Sequence, residues 1–237
     1  LEWRALAVAL VSWGDERTEA IQDALTFRAY RQSLFEHAKR EEDRMEVHEG
    51  LAEYTGLSLS GLDAQAARWH LAGRLKVNAL RPTYPMSFAY ETGPAYGFLL
   101  DMEGTSWREN LSTESSLADL MAKAMGLSIQ AEKAATRANL YNAAEVFIVE
   151  EKRENERVAR ISQWKATLIE GPVMKLPLLQ SNFVFNPNEV VPIEGHGNVY
   201  PAATVSAEWG TITIRRGLLI ASTWQTATVT APPNADT

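Results

Sequence analysis

The sequence predicts an α+β protein, a mostly helical body followed by a small antiparallel β unit. Three observations carry that prediction. Apolar residues recur at spacings of three and four through most of the chain. Gly171-Pro172 then stops the helical pattern. Beyond it, short β-branched segments alternate with period two between turn-forming clusters. The implied domains are a helical domain over 1–171, a β domain over 172–230 and a disordered tail over 231–237.

The elements follow in order. Trp3, Leu6, Ala7 and Leu10 mark a helix over 1–13, ended by Gly14, with Asp15 as N-cap of the next. That second helix carries Ile21, Leu25, Arg28, Leu34 and Phe35, and the pattern lets it run on through the charged stretch 37–44. A third segment, 41–55, ends at Gly56. Ser60 or Asp63 opens a helix through AQAARWHLAGRLKV, and Pro82 and Pro85 break the pattern after it. A short helix over 94–101 has Pro94 in its first turn, and Thr113 or Ser115 opens LADLMAKAMGL. A long helix over 129–169 completes the body. Five or six strands follow, separated by NPN, GHGN, WG and RRG. The helical core is expected at Phe27, Leu34, Phe35, Leu51, Tyr54, Trp69, Leu99, Leu100 and Trp107.

Composition narrows the function classes. At 237 residues and 46% apolar content the chain can bury a core in each domain. No stretch approaches the roughly 20 apolar residues of a membrane span. A net charge of −7, with Arg and Lys dispersed among Glu, argues against nucleic acid as a partner. The absence of cysteine excludes disulfides, thiol nucleophiles and Cys-based metal centres. A phosphate loop and a G-x-S-x-G nucleophile elbow are both missing. The charged run 150–160 reads as a solvated helix face.

The densest chemistry lies in Glu46-Val47-His48-Glu49-Gly50-Leu51-Ala52-Glu53-Tyr54. On a regular helix Glu46, Glu49 and Glu53 share one face and repel unless a cation meets them. The cation is a metal or an arginine, with Arg28, Arg31 and Arg44 as candidates; the bland alternative is a hydrated acidic face. The histidines add little. His37 and His48 are too far apart along a helix to share one ion, His70 follows Trp69 on an amphipathic helix, and His196 sits in a glycine turn.

The run Glu49-Gly50-Leu51-Ala52-Glu53-Tyr54 resembles the NEG(F/L)A-x-Y helix of the gluzincin metallopeptidases, the aminopeptidase-like zinc enzymes. In that family the Glu before the Gly is the third zinc ligand, so the resemblance makes Glu49 the candidate metal ligand. Ser87–Gly97 is similar to the family's Y-x-x-G turn and helix, which makes Tyr90, or else Tyr96, the counterpart of the tyrosine that stabilises the tetrahedral intermediate. The family's other two ligands sit in an HExxH motif one helix upstream. Counting back from Glu49 lands on Thr26-Phe27-Arg28-Ala29-Tyr30, with neither His nor Glu, and no HExxH occurs anywhere in the chain. Catalytic zinc needs three protein ligands. The resemblance therefore implies a degenerate relative in which Arg28 or Arg31 replaces the metal's charge beside Glu49.

The expectation is a non-catalytic peptidase-like protein, a pseudoenzyme that needs no cofactor and binds a peptide or protein through a residual cleft. Arg28, Arg31, Glu46, Glu49, Glu53 and Tyr96 are the candidate ligand-binding residues, and Tyr90 the candidate catalytic one. Two alternatives stand beside it. One is an active zinc-dependent hydrolase completed by residues or an upstream fragment preceding Leu1, since the chain does not start at Met. The other is a structural protein of the cell envelope that docks through its β unit. The absence of cysteine leaves the compartment open, and among the choices an exported bacterial location, periplasmic or cell envelope, is favoured.

Overall fold

The computed structural model describes residues 1–81, 87–104, 106–109 and 111–232. The expected breaks at Pro82 and Pro85, and most of the expected tail, lie outside them. The architecture is α+β, as the change of period implies. Two compact units divide inside a helix, at Val146/Phe147, rather than at Gly171 where the secondary structure changes. None of the helices in the described residues is long and apolar enough to cross a membrane.

The first unit is built around α1 (Glu2–Val11), whose Ala5, Leu6, Ala7 and Ala9 are fully buried. It packs on α2 (Gly14–Ser33) and α5 (Ala64–Asn78). Gly14 starts α2 with φ +58°, and Trp13 holds the cap position expected of Asp15. The second helix stops at Ser33 instead of running on, because His37 takes a left-handed φ of 66°. Leu34 and Phe35 therefore lie on a surface turn, 57% and 65% exposed, not in the core.

After that turn, α3 (Ala38–Met45), a π-helical turn (Glu46–Gly50) and α4 (Leu51–Ser58) run as one rod, which passes Gly56 before ending. Asp63 caps α5 by accepting from the Ala66 amide. Trp69, expected inside, is 58% exposed. α6 spans Ala89–Met102, starting earlier than expected, with Pro94 in its second turn. α7 (Leu117–Met125) is capped by Ser116, whose hydroxyl accepts from the Asp119 amide. Phe27, Tyr54, Leu99, Leu100 and Trp107 are buried as expected, and Leu51 packs against this core partly buried.

The expected long helix is broken. Residues 131–141 form two 3₁₀ turns around a single α turn, α8 (Ala134–Arg137), and Asn142 takes φ 54° before α9 (Ala143–Lys165) begins. A π turn over Ala166–Glu170 ends α9 before Gly171.

Among the described residues the second unit holds eight strands rather than five or six, with Pro201 and the Arg215-Arg216-Gly217 turn each standing between two of them. A five-stranded antiparallel sheet has the order β1 (Val173–Pro177), β8 (Thr226–Thr230), β7 (Leu218–Ile220), β4 (Gly197–Tyr200), β3 (Val191–Ile193). A three-stranded antiparallel sheet has the order β2 (Asn182–Phe185), β5 (Ala203–Ala207), β6 (Gly210–Ile214). Val205, Leu218, Ile220 and Ala227 form the centre of its core.

Candidate functional site

Two glycines place the EVHEG segment. Gly50 on the π turn meets Gly93 on α6 so closely that a Cβ on Gly50 would stand 2.7 Å from the Ala89 carbonyl oxygen and 2.8 Å from the Gly93 Cα. One turn further along, a Cβ on Gly97 would stand 2.6 Å from the Tyr54 ring. Small residues on one side and a close backbone on the other make a tight seam between the rod and α6. The π turn adds a residue to the local turn, and this changes which way each glutamate of the segment faces.

The three glutamates consequently part company, where a regular helix would have kept them on one face. Glu46 is fully buried and receives both guanidinium nitrogens of Arg28, at 2.6 and 2.8 Å, and the Thr92 hydroxyl at 2.5 Å. Glu53 receives Arg74 at 2.5 Å. Glu49 receives the Tyr90 hydroxyl at 2.6 Å. The expected arginine beside Glu49 is not there: Arg28 serves Glu46, and Arg31 pairs with Glu2 and Glu42.

Arg28 is the hub of a buried charge network. It is 2% exposed and also donates to Asp43 at 2.9 Å and Glu2 at 3.2 Å. Its carbon Cζ lies 5.4 Å from the centroid of the Tyr96 ring, whose hydroxyl donates to Glu2 at 3.1 Å. Lys39 reaches Asp43 and Asp119, and Ser116 donates to Asp43. Burial opposes every charge here, and the partners decide the outcome. Burial disfavours the Arg28 cation, yet Glu46 and Glu2 more than compensate and hold it firmly protonated. Burial pushes Glu2 up, and Arg28 and Arg31 together bring it below the ordinary carboxylate value. For Glu46 burial wins over Arg28 and Thr92, and its carboxyl stays above that value. Tyr96 is pushed well up by burial and by Glu2, so its phenol remains neutral.

A second clamp forms around Arg74. Arg74 of α5 reaches Glu91 at 3.0 Å, Glu53 and the Tyr90 carbonyl, while Asn78 donates to Glu91 at 2.6 Å. It fixes the first turn of α6 and with it Tyr90. Tyr90 is partly exposed, and its phenol is pushed above the ordinary value by the hydrogen bond it gives to Glu49.

Of the expected residues, then, Arg28, Glu46 and Tyr96 form one buried cluster that Arg31 joins at Glu2. Glu49 and Tyr90 form a separate surface pair, and Glu53 belongs to the Arg74 clamp. Glu2, Asp43, Thr92, Arg74 and Glu91 were missed. Two of them left a trace: Glu2 lies on the stripe of Leu6 and Leu10, and Glu91 is the one charge near the start of an apolar helix. Glu49 has a phenol for a neighbour, and among the described residues no three His, Asp or Glu side chains gather around a point that would suit an ion. Comparison of the chain with protein-family models, characterised proteins and solved structures gives no match.

Proposed function

We propose that the helical unit binds peptides through the Glu49–Tyr90 pair, as a gluzincin-like protein whose chain does not by itself assemble a zinc centre. The carrying observation is the 2.6 Å hydrogen bond between these two side chains, 41 residues apart, which the resemblance selects independently. A carboxylate that accepts and a phenol that can turn to donate suit a peptide amino group and carbonyl. The glycine seam and the Arg74 clamp hold both groups in place before any ligand arrives, which lowers the entropy cost of binding. Titration of short unblocked peptides into the full chain should give saturable binding that Glu49→Gln and Tyr90→Phe each weaken about tenfold or more. Equal binding by both variants would sink the reading.

One observation favours a second reading, an active zinc peptidase whose remaining ligands lie outside this chain. Glu49 accepts from the Tyr90 phenol, where a metal-free relative is expected to supply a guanidinium. This reading requires stoichiometric metal by elemental analysis and chelator-sensitive peptide cleavage in a longer protein.

A further inference from the structure

We infer a second binding site in the helical unit, a cleft between α4, α5 and α6 that takes an organic carboxylate with an apolar body. The inference does not depend on the Glu49–Tyr90 reading. The cleft encloses about 310 Å³. Its walls are largely apolar, with Tyr54, Leu62, Phe98 and Met102 around Ala67. Two charged side chains line it, Arg68 and Asp101.

Asp101 is already answered. It accepts from the Tyr54 hydroxyl at 2.5 Å, from the Trp107 indole at 2.9 Å and from Arg108 at 2.5 Å. Arg68 is not. In the same unit the partly or fully buried Arg4, Arg17, Arg28, Arg31, Arg74 and Arg137 each donate to a named carboxylate or carbonyl. Arg68 is part-buried too, yet among the described residues it has no hydrogen-bond acceptor and no ion pair, and its Nε is both buried and unpartnered. The Nε–H of Arg68 is thus withdrawn from water with no acceptor, which costs free energy until one is supplied. A ligand carboxylate in the cleft supplies that acceptor, and a bidentate guanidinium–carboxylate pair fixes its orientation. The aromatic and thioether walls then cover the ligand's apolar part.

A peptide's C-terminal residue and a free hydrophobic acid share this chemistry. The probes are N-acetyl-phenylalanine, its amide, and a short N-acetylated peptide ending in phenylalanine, each titrated into the full chain by NMR or calorimetry. The acid should bind with a dissociation constant on the order of 1 mM or tighter, and the amide at least tenfold more weakly. In the Glu49→Gln chain, tighter binding of the N-acetylated peptide than of the acid assigns the site to chain termini, and the reverse assigns it to free acids. Arg68→Met should abolish the preference for acid over amide. Ser58→Trp, which fills the cleft and leaves the charge, should abolish binding of both. Glu49→Gln should leave the acid's affinity unchanged, which separates this site from the Glu49–Tyr90 pair. Equal affinity for acid and amide, binding unaltered in Arg68→Met, or no binding at about 10 mM acid would each overturn the inference.

Discussion

Replacing Arg28 with methionine keeps much of the side chain's volume and removes its charge from the centre of Glu2, Asp43 and Glu46. Two of those carboxylates retain another cation: Arg31 stays with Glu2, and Lys39 stays with Asp43. Glu46 retains only the Thr92 hydroxyl, in a fully buried position, so it must take up a proton. For a carboxyl of ordinary value 4.5, protonation at pH 7 costs about 3.4 kcal/mol, an upper bound here because Glu46 already sits above that value in the folded protein. That agrees with the roughly 3–5 kcal/mol typical when one partner of a buried pair is deleted. For a unit of this size the loss corresponds to about 7–14 °C in melting temperature. Denaturant unfolding of Arg28→Met followed by helical circular dichroism, at pH 7 and pH 5, measures it. The loss should shrink at pH 5, by at most about 2.5 kcal/mol because the raised Glu46 of the wild type also gains from the added protons. A loss below about 1 kcal/mol at pH 7, or one independent of pH, would refute the reasoning.

Other outcomes follow from the same structure. Glu46 sits above its ordinary value, so the folded state holds more protons than the unfolded one just above pH 4.5, and its contribution falls as pH rises through the folded value. Glu46→Gln should remove that fall, read as a flatter stability profile above pH 4.5. Glu2 is held low, so its contribution is present above pH 4.5 and lost as pH falls through its folded value. Glu2→Gln should flatten the acid limb instead. Gly50→Ala forces a methyl against backbone that cannot move aside, and should cost about 1–3 kcal/mol in denaturant unfolding. Glu49→Gln should bring the Tyr90 phenol back down toward pH 10 in an ultraviolet titration, because the hydrogen bond to Glu49 is what raises it.

The fold class, the change of period near Gly171 and the core positions on long amphipathic stretches were legible in the residues. Helix ends were less so. Leu34 and Phe35 continue an apolar stripe on paper, and only the left-handed backbone at His37 takes them out of the core. Asn142 does the same to the expected long helix. In the candidate site, the grouping of Glu46, Glu49 and Glu53 assumed 3.6 residues per turn, and the π turn over Glu46–Gly50 broke that assumption where it mattered most. Arg28 was recognised as a charge compensator but given to the wrong glutamate, because which carboxylate it meets depends on helices far apart in sequence. Arg74, on a different helix, had no local signal at all.

The contact between Gly50 and Gly93 works as a key in a ward. Along α6 the two notches, Gly93 and Gly97, stand four residues apart, and so do the backbone of Gly50 and the ring of Tyr54 that enter them. Sliding the rod by one turn, about 5.4 Å, would drive the Tyr54 ring against Asp101 in one direction and seat Gly50 on the Ala89 methyl in the other. Either slip would carry Glu49 a full turn away from Tyr90. The pair is therefore held by helix register rather than by its own hydrogen bond, and deleting the Tyr90 hydroxyl should leave the ring where it is.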